Sequence, residues 1–222
     1  MTITLEARAV LLDMDGTLVD STAVVERLWL EWSERQGLDP DAVLALIHGR
    51  QARESMAVLL PHRAMELNVA ESREMLARET VETDGVVEIP GAAALLAALE
   101  GAPHALVTSA DLGLARARLA AAALRVPEVA VTADDVAASK PDPEGFLRAA
   151  EILGVDPADC VVFEDSHAGI EAGRAAGMRV IGVGDTASAH GPTCAVRDLR
   201  QVSVARDGGR IILTIETGQR PG

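Results

Sequence analysis

Residues 160–185 read CVVFEDSHAGIEAGRAAGMRVIGVGD. An apolar run ends in two acids, a Gly- and Ala-rich stretch of helical character follows, and a second apolar run ends in Gly-Asp. Neither run alternates polar and apolar residues, and both are too short for a good helix. They read as strands buried on both faces of a parallel sheet. Strand, helix and strand in this order make a crossover unit, which predicts an α/β domain. Working outward, RAVLLD at 8–13, HALVTS at 104–109 and EVAVTA at 128–133 have the same form, and helical stretches fill 111–124 and 143–154. The fold class predicted is α/β, with a doubly wound parallel sheet.

The first strand is the exception, because no second strand follows it closely. From Leu18 to about Gly85 the chain shows helical periodicity, in STAVVERLWLEWSERQG, DAVLALIHGR, QARESMAVLLP and VAESREMLARETVE. This predicts a helical insert, after which VVEIPGAAALLAALE resumes the main domain. Trp29 and Trp32 share one helix face, where core packing is the simplest use for them. QVSVAR and RIILTIE flank Asp-Gly-Gly near residue 208 and predict a hairpin at a sheet edge.

Composition excludes several roles. The formal charge of −14 opposes nucleic acid, which needs Lys/Arg patches. With two Trp, two Phe and no Tyr, stacking platforms for bases are missing. No apolar run is long enough to span a membrane, and the opening MTITLEARAV lacks the layout of a secretory signal. Cys160 and Cys194 have no metal-ligand spacing. A cytoplasmic protein without disulfides is expected.

What ends each strand is the more telling pattern, since ligands of open parallel sheets bind at the carboxyl ends of the strands. The first run ends at Asp13 with Asp15 just beyond, the second at Thr108 and Ser109, and the fourth at Glu164 and Asp165. A single polar strand end needs no explanation beyond solvent. Oxygen ligands ending three strands do, and clustered carboxylates need a counter-charge. A hard cation suits them, and Mg²⁺ is the one expected. The spacing does not fit a calcium loop, and the five histidines are scattered. With Lys140, such a cation could hold an anion that the whole chain would repel.

DMDGTLVDS, VTSA, KPDPEGF and VVFEDSHAGIEAGRAAGM resemble, in order and spacing, the four motifs of the haloacid dehalogenase-like phosphohydrolases. The resemblance runs from about Arg8 to Val183 and is closest to the sugar- and polyol-phosphate phosphatases. It implies a Rossmann-like core over 1–17 and 86–222, with 18–85 as a small helical cap. It also implies a Mg²⁺-dependent phosphatase acting on a small phosphorylated metabolite, as a monomer or weak dimer. By position, Asp13 is the implied nucleophile and Asp15 the general acid and base. Gly16 admits the phosphoryl oxygens, Thr108 and Ser109 bind them, and Lys140 neutralises charge. Asp13, Asp15 (through its carbonyl), Glu164 and Asp165 are the implied metal set. In the cap, His48, Gly49, Arg50 and Arg53 are candidates for substrate contacts.

Ser139 departs from the Gly common before the motif lysine, and Ser166 and His167 depart from the small residue and Pro common after the acidic pair. A hexose phosphomutase or a phosphoglycolate-type phosphatase would use the same residues. A dehalogenase would not need Asp15, and a binding module would not need the full set. Gly169, Gly173 and Gly177 are expected to serve close helix–sheet packing.

Overall fold

The computed structural model describes residues 1–47 and 50–217. In chain order the elements are β1 (Thr2–Ala7), β2 (Ala9–Leu12), β3 (Val19–Asp20), α1 (Thr22–Gln36), α2 (Pro40–Ile47), α3 (Ala52–Leu59) and α4 (Met65–Val81). Then come β4 (Val87–Glu88), α5 (Ala92–Leu99), β5 (His104–Val107), α6 (Leu112–Ala121), β6 (Val129–Val131) and α7 (Glu144–Leu153). The chain continues with β7 (Cys160–Glu164), α8 (His167–Ala175), β8 (Arg179–Val183), β9 (Cys194–Val196), β10 (Val202–Asp207) and β11 (Arg210–Glu216).

Six strands form the central sheet in the order β6-β5-β2-β7-β8-β9, all neighbours parallel. Every residue of β2 and β7 is buried. Successive side chains of a strand point to opposite faces. Val10 and Leu12 accordingly join one apolar cluster, with α5, α6 and β11, while Ala9 and Leu11 join the other, with α7 and α8. That double burial is why these strands lack alternation in the sequence. The chain builds β5 and β6 on one side of β2, then crosses back to lay β7, β8 and β9 on the other. The reversal places a crevice at the carboxyl end of β2.

The predicted hairpin forms, with Asp207 opposite Arg210 and both Gly208 and Gly209 at positive φ, which suits a two-residue turn of type I′. Its predicted place at a sheet edge is met by β10, the outer strand, but the sheet is not the main one. β11 pairs with β1 instead, from Thr2 opposite Glu216 to Ala7 opposite Ile211, in a separate antiparallel sheet. The reason lies in burial: along β11 only Ile211, Leu213 and Ile215 are buried, and an antiparallel sheet needs cover on one face alone. β1 and β9 have no counterpart in the sequence reading.

Four helices, α1 to α4, lie between β3 and β4, and those two strands pair with each other, Val19 opposite Glu88 and Asp20 opposite Val87. Trp29 and Trp32 are buried, with rings edge to face and centroids 5.3 Å apart. The Trp32 indole N–H donates to Glu71 Oε2 at 2.7 Å, and Arg63 also donates to that carboxylate. Gly169 and Gly173 do serve close packing: a side-chain carbon at either would run into Glu164 or Val180. Gly177 does not, having open space and a positive φ of 76° that favours glycine. Among the described residues, no helix is long and apolar enough to cross a membrane.

Leu213 is fully buried under the small sheet, whereas Thr214 beside it is not. Leu213→Ala should cost ~2–5 kcal/mol in urea unfolding, and Thr214→Ala should stay within ~0.5 kcal/mol. Equal costs would mean that this sheet is not part of the core.

Candidate active site

The end of β2 is tied to β7 by the Asp13 N–H, which donates to the Phe163 carbonyl at 3.0 Å. Beyond it the chain turns tightly, with Leu18 and Val19 both donating to the Met14 carbonyl. Gly16 sits in this turn at φ 80°, and a side chain there would overlap the Asp165 carboxylate. Only glycine satisfies both conditions.

The sheet order makes β2 and β7 neighbours, so the acids ending them converge. Carboxylate oxygens of Asp13, Glu164 and Asp165 lie within 4.8 Å of one another. Lys140 reaches into this group from the loop before α7. Its Nζ donates to Asp13 Oδ1 at 2.5 Å, to Glu164 Oε1 at 2.7 Å and to the Val107 carbonyl at 3.1 Å. The ammonium also lies 5.2 Å from the centre of the Phe146 ring. Burial would lower the Lys140 pKa, but Asp13 and Glu164 outweigh it and the net shift is upward. Burial, then the like charge of Glu164, push the Asp13 carboxyl up to about 7 against the pull of Lys140. Burial, Glu164 and Asp13 also raise Asp165 well above the ordinary carboxylate range. One buried ammonium among three carboxylates leaves an excess of negative charge. A divalent cation fits that excess and that all-oxygen donor set.

Glu164 has less freedom than its neighbours. Its second oxygen accepts from the Ser166 N–H at 2.8 Å and from the Ser166 hydroxyl at 3.0 Å. Ser166 also caps α8 by accepting from the Gly169 N–H. That departure from the expected motif therefore anchors the acid before it. His167 is exposed, beside Glu171 and the His190 ring, away from these contacts.

Asp15 lies outside the carboxylate trio, with both oxygens engaged. Oδ1 accepts from the Ser21 hydroxyl at 2.8 Å, and Oδ2 accepts from Arg118 at 2.7 Å. From β5 come Thr108, buried, and Ser109. The Thr108 hydroxyl accepts from the Ala110 N–H at 3.1 Å, which leaves its own proton free to donate.

These groups open into one cavity of ≈ 420 Å³, walled on the far side by the helical segment through Trp29, Arg50, Arg53, Ser72, Arg73 and Glu79. Arg50 and Arg53 thus line the cavity, Arg50 from just before α3 and Arg53 from its first turn. His48 and Gly49 fall outside the described residues. Ser139 donates to Glu54 Oε2 of α3 at 2.7 Å, joining the lysine's loop to the helical segment. The sequence reading missed Ser21, Glu79 and Arg118. For Arg118 a signal existed: it stands a helical turn after Leu114 and Ala115, on the buried face of α6.

The sequence profile of the haloacid dehalogenase-like hydrolases matches residues 7–177. Hexitol phosphatase A of Escherichia coli (strain K12) is 41% identical, over 94% of this chain and 100% of its own length. Fructose-1-phosphate phosphatase YqaB of the same organism is 36% identical, over 77% of this chain and 93% of its own. Among solved structures, β-phosphoglucomutase from Clostridium difficile has a similar fold, with a TM-score of 0.79 at 22% identity, covering 88% of this chain and 92% of that one.

The raised carboxyls give a test of the metal that does not depend on turnover. A folded-state carboxyl pKa above its unfolded value favours the fold while protonated. Stability is therefore lost as pH rises from the ordinary carboxylate range through about 7 for Asp13. A bound divalent cation should restore it, raising the melting temperature at pH 7.5 by roughly 5–10 °C at a hundredfold excess over its Kd. Asp165→Asn should melt no lower than the wild type without the cation and lose most of the cation-induced rise. A rise that survives Asp165→Asn, or none in the wild type, would contradict this centre.

Proposed function

The chain belongs to the haloacid dehalogenase-like hydrolases, and on that premise we propose that it is a phosphatase for monoesters of small sugars or polyols, working through an aspartyl-phosphate on Asp13. The observation that carries this reading is the Lys140 ammonium bound to both Asp13 and Glu164 beside Asp165, in the lining of a cavity that also takes in Asp15, Thr108 and Ser109. A buried nucleophile with a fixed cation and a second acid nearby is what two-step displacement at phosphorus requires.

In the first step an Asp13 oxygen attacks phosphorus, the bond from phosphorus to the ester oxygen breaks, and Asp15 gives its proton to that oxygen, releasing the alcohol. In the second, water attacks the phosphorus of the aspartyl-phosphate and passes a proton to Asp15. The bond from phosphorus to Asp13 breaks, and inorganic phosphate leaves with both carboxyl groups restored. Lys140 holds Asp13 and offsets charge on the phosphoryl oxygens. Thr108 and Ser109 donate to those oxygens, and Gly16 leaves room for them. Asp13, Asp165, Glu164 and the Asp15 carbonyl would hold Mg²⁺, which when bound supplies positive charge to the phosphoryl group.

We assign residues 18–85 as the cap, with Arg50 and Arg53 touching the alcohol portion of the substrate. The hexitol and the fructose 1-phosphate in the names of the two Escherichia coli relatives support that substrate class, as does the mixed wall of Trp, Ser, Arg and Glu. A hexose phosphomutase would use the same catalytic groups, and it is distinguished by isomer interconversion without release of phosphate.

Phosphate release from a panel of sugar and polyol phosphates with Mg²⁺ is the direct test. Asp13→Asn should lower it by on the order of 10⁴–10⁶ while the protein stays folded by circular dichroism; a fully active variant would refute the nucleophile. EDTA should stop turnover and added Mg²⁺ restore it, so activity indifferent to chelation would refute the cofactor. For Arg50→Ala and Arg53→Ala, kcat/KM should fall by ~10-fold or more on sugar phosphates, against little change on 4-nitrophenyl phosphate. Equal losses on both would remove their role in selection.

A further inference from the structure

Arg118 has no task in the mechanism above, yet its placement is costly. It lies on the buried face of α6 with Leu114, Ala115 and Leu119, and its side chain is only 5% exposed. Arginine stays charged in a protein, and a buried charge is unfavourable unless it is paired. The pairing here is specific. One guanidinium arm donates to Asp15 Oδ2 at 2.7 Å, and the other donates to Glu79 Oε2 of α4 at 2.5 Å. The Nε–H, also buried, has no partner among the described residues, while both forked arms are committed. With Ser21 on Oδ1, each oxygen of Asp15 is held by a donor.

A simple staple between core and cap would pair Arg118 with Glu79 alone. The structure gives the guanidinium to the proposed proton donor as well, and binds it from behind with an acid of another segment. We propose that Arg118 is a positioning residue for Asp15, fixing the carboxylate through which the leaving group receives its proton, and that Glu79 fixes Arg118. The inference rests on the phosphatase reading. It adds that proton delivery depends on a residue from each of the two segments that wall the cavity. Proton transfer tolerates little displacement, and a misplacement of about 1 Å can cost ~10²-fold.

The leaving group separates positioning from mere structure. A polyol oxygen leaves poorly without a proton, whereas 4-nitrophenolate leaves as a stabilised anion. Single-turnover release of alcohol should be followed for glycerol phosphate and for 4-nitrophenyl phosphate. The proteins are wild type, Arg118→Lys, Glu79→Gln and the double variant Arg118→Met with Glu79→Gln, each with Mg²⁺. The double variant removes both members of the deeply buried Arg118–Glu79 pair and leaves only the part-exposed Asp15 without its ion partner, which guards against failure to fold, and its melting curve checks that.

Release of glycerol should fall by ~10²-fold in the double variant and release of 4-nitrophenolate by less than tenfold. Arg118→Lys should recover part of the difference, because it restores one donor. Glu79→Gln alone should fall between. Equal losses on the two esters in a folded double variant would overturn the positioning role while leaving the phosphatase reading intact. A wild type that releases phosphate from neither glycerol phosphate nor any sugar phosphate would overturn that reading, and this inference with it.

Discussion

The Lys140 ammonium between Asp13 and Glu164 sets the terms for the rest of the molecule. Bringing three carboxylates close together inside a protein is unfavourable, and one ammonium within hydrogen-bond reach of two of them offsets part of that repulsion. Several features of the chain serve this contact. Two adjacent strands must end level with each other so that their terminal acids meet. Gly169 must lack a side chain, because the Glu164 carboxylate occupies that space. Ser166 must hold the far oxygen of Glu164, or the acid would have freedom to leave its partner. Phe146 closes over the ammonium on the apolar side. The residual negative charge is what makes a divalent cation welcome.

The cavity has two owners. The sheet supplies the charged floor, from residues that the backbone fixes closely. The helical segment supplies the far wall, from long side chains such as Arg50, Arg53 and Arg73. The two are joined near the cavity by Ser139 with Glu54 and by Arg118 with Glu79, and the chain passes between them through the short ribbon of β3 and β4. Precision at the floor and variety at the wall suit a scaffold whose reaction is constant and whose substrate is not.

The parallel sheet was legible because double burial leaves a sequence imprint: short apolar runs without alternation, each ended by polar atoms. The acids were legible for the same reason, since a charge at the end of such a run has few places to go except the strand's carboxyl end. Other parts left weaker marks. β3 and β4 are two residues each, too short for any period to show. β1 alternates, as TITLEA, but its partner lies at the far end of the sequence, so nothing local announced the pairing. Ser139 and Ser166 read as departures from a motif, and their meaning is in three dimensions: one bonds to Glu54 and the other to Glu164. Arg118 was hidden by its neighbour. Arg116 two positions earlier is exposed, and a pair of arginines in an Ala-rich helix reads as a solvated face until the helical turn is counted.

The strand order also governs how this protein comes together in time. β2 lies near the start of the chain, but its neighbour β7 is separated from it by every helix of the insert and by four further strands, β3 to β6. During synthesis β2 must wait, with one edge unpaired, until that distant segment emerges and docks. Contacts so remote in sequence close slowly. The clustered carboxylates therefore meet only late in assembly, and a half-made chain carries Asp13 without Glu164 and Asp165 beside it.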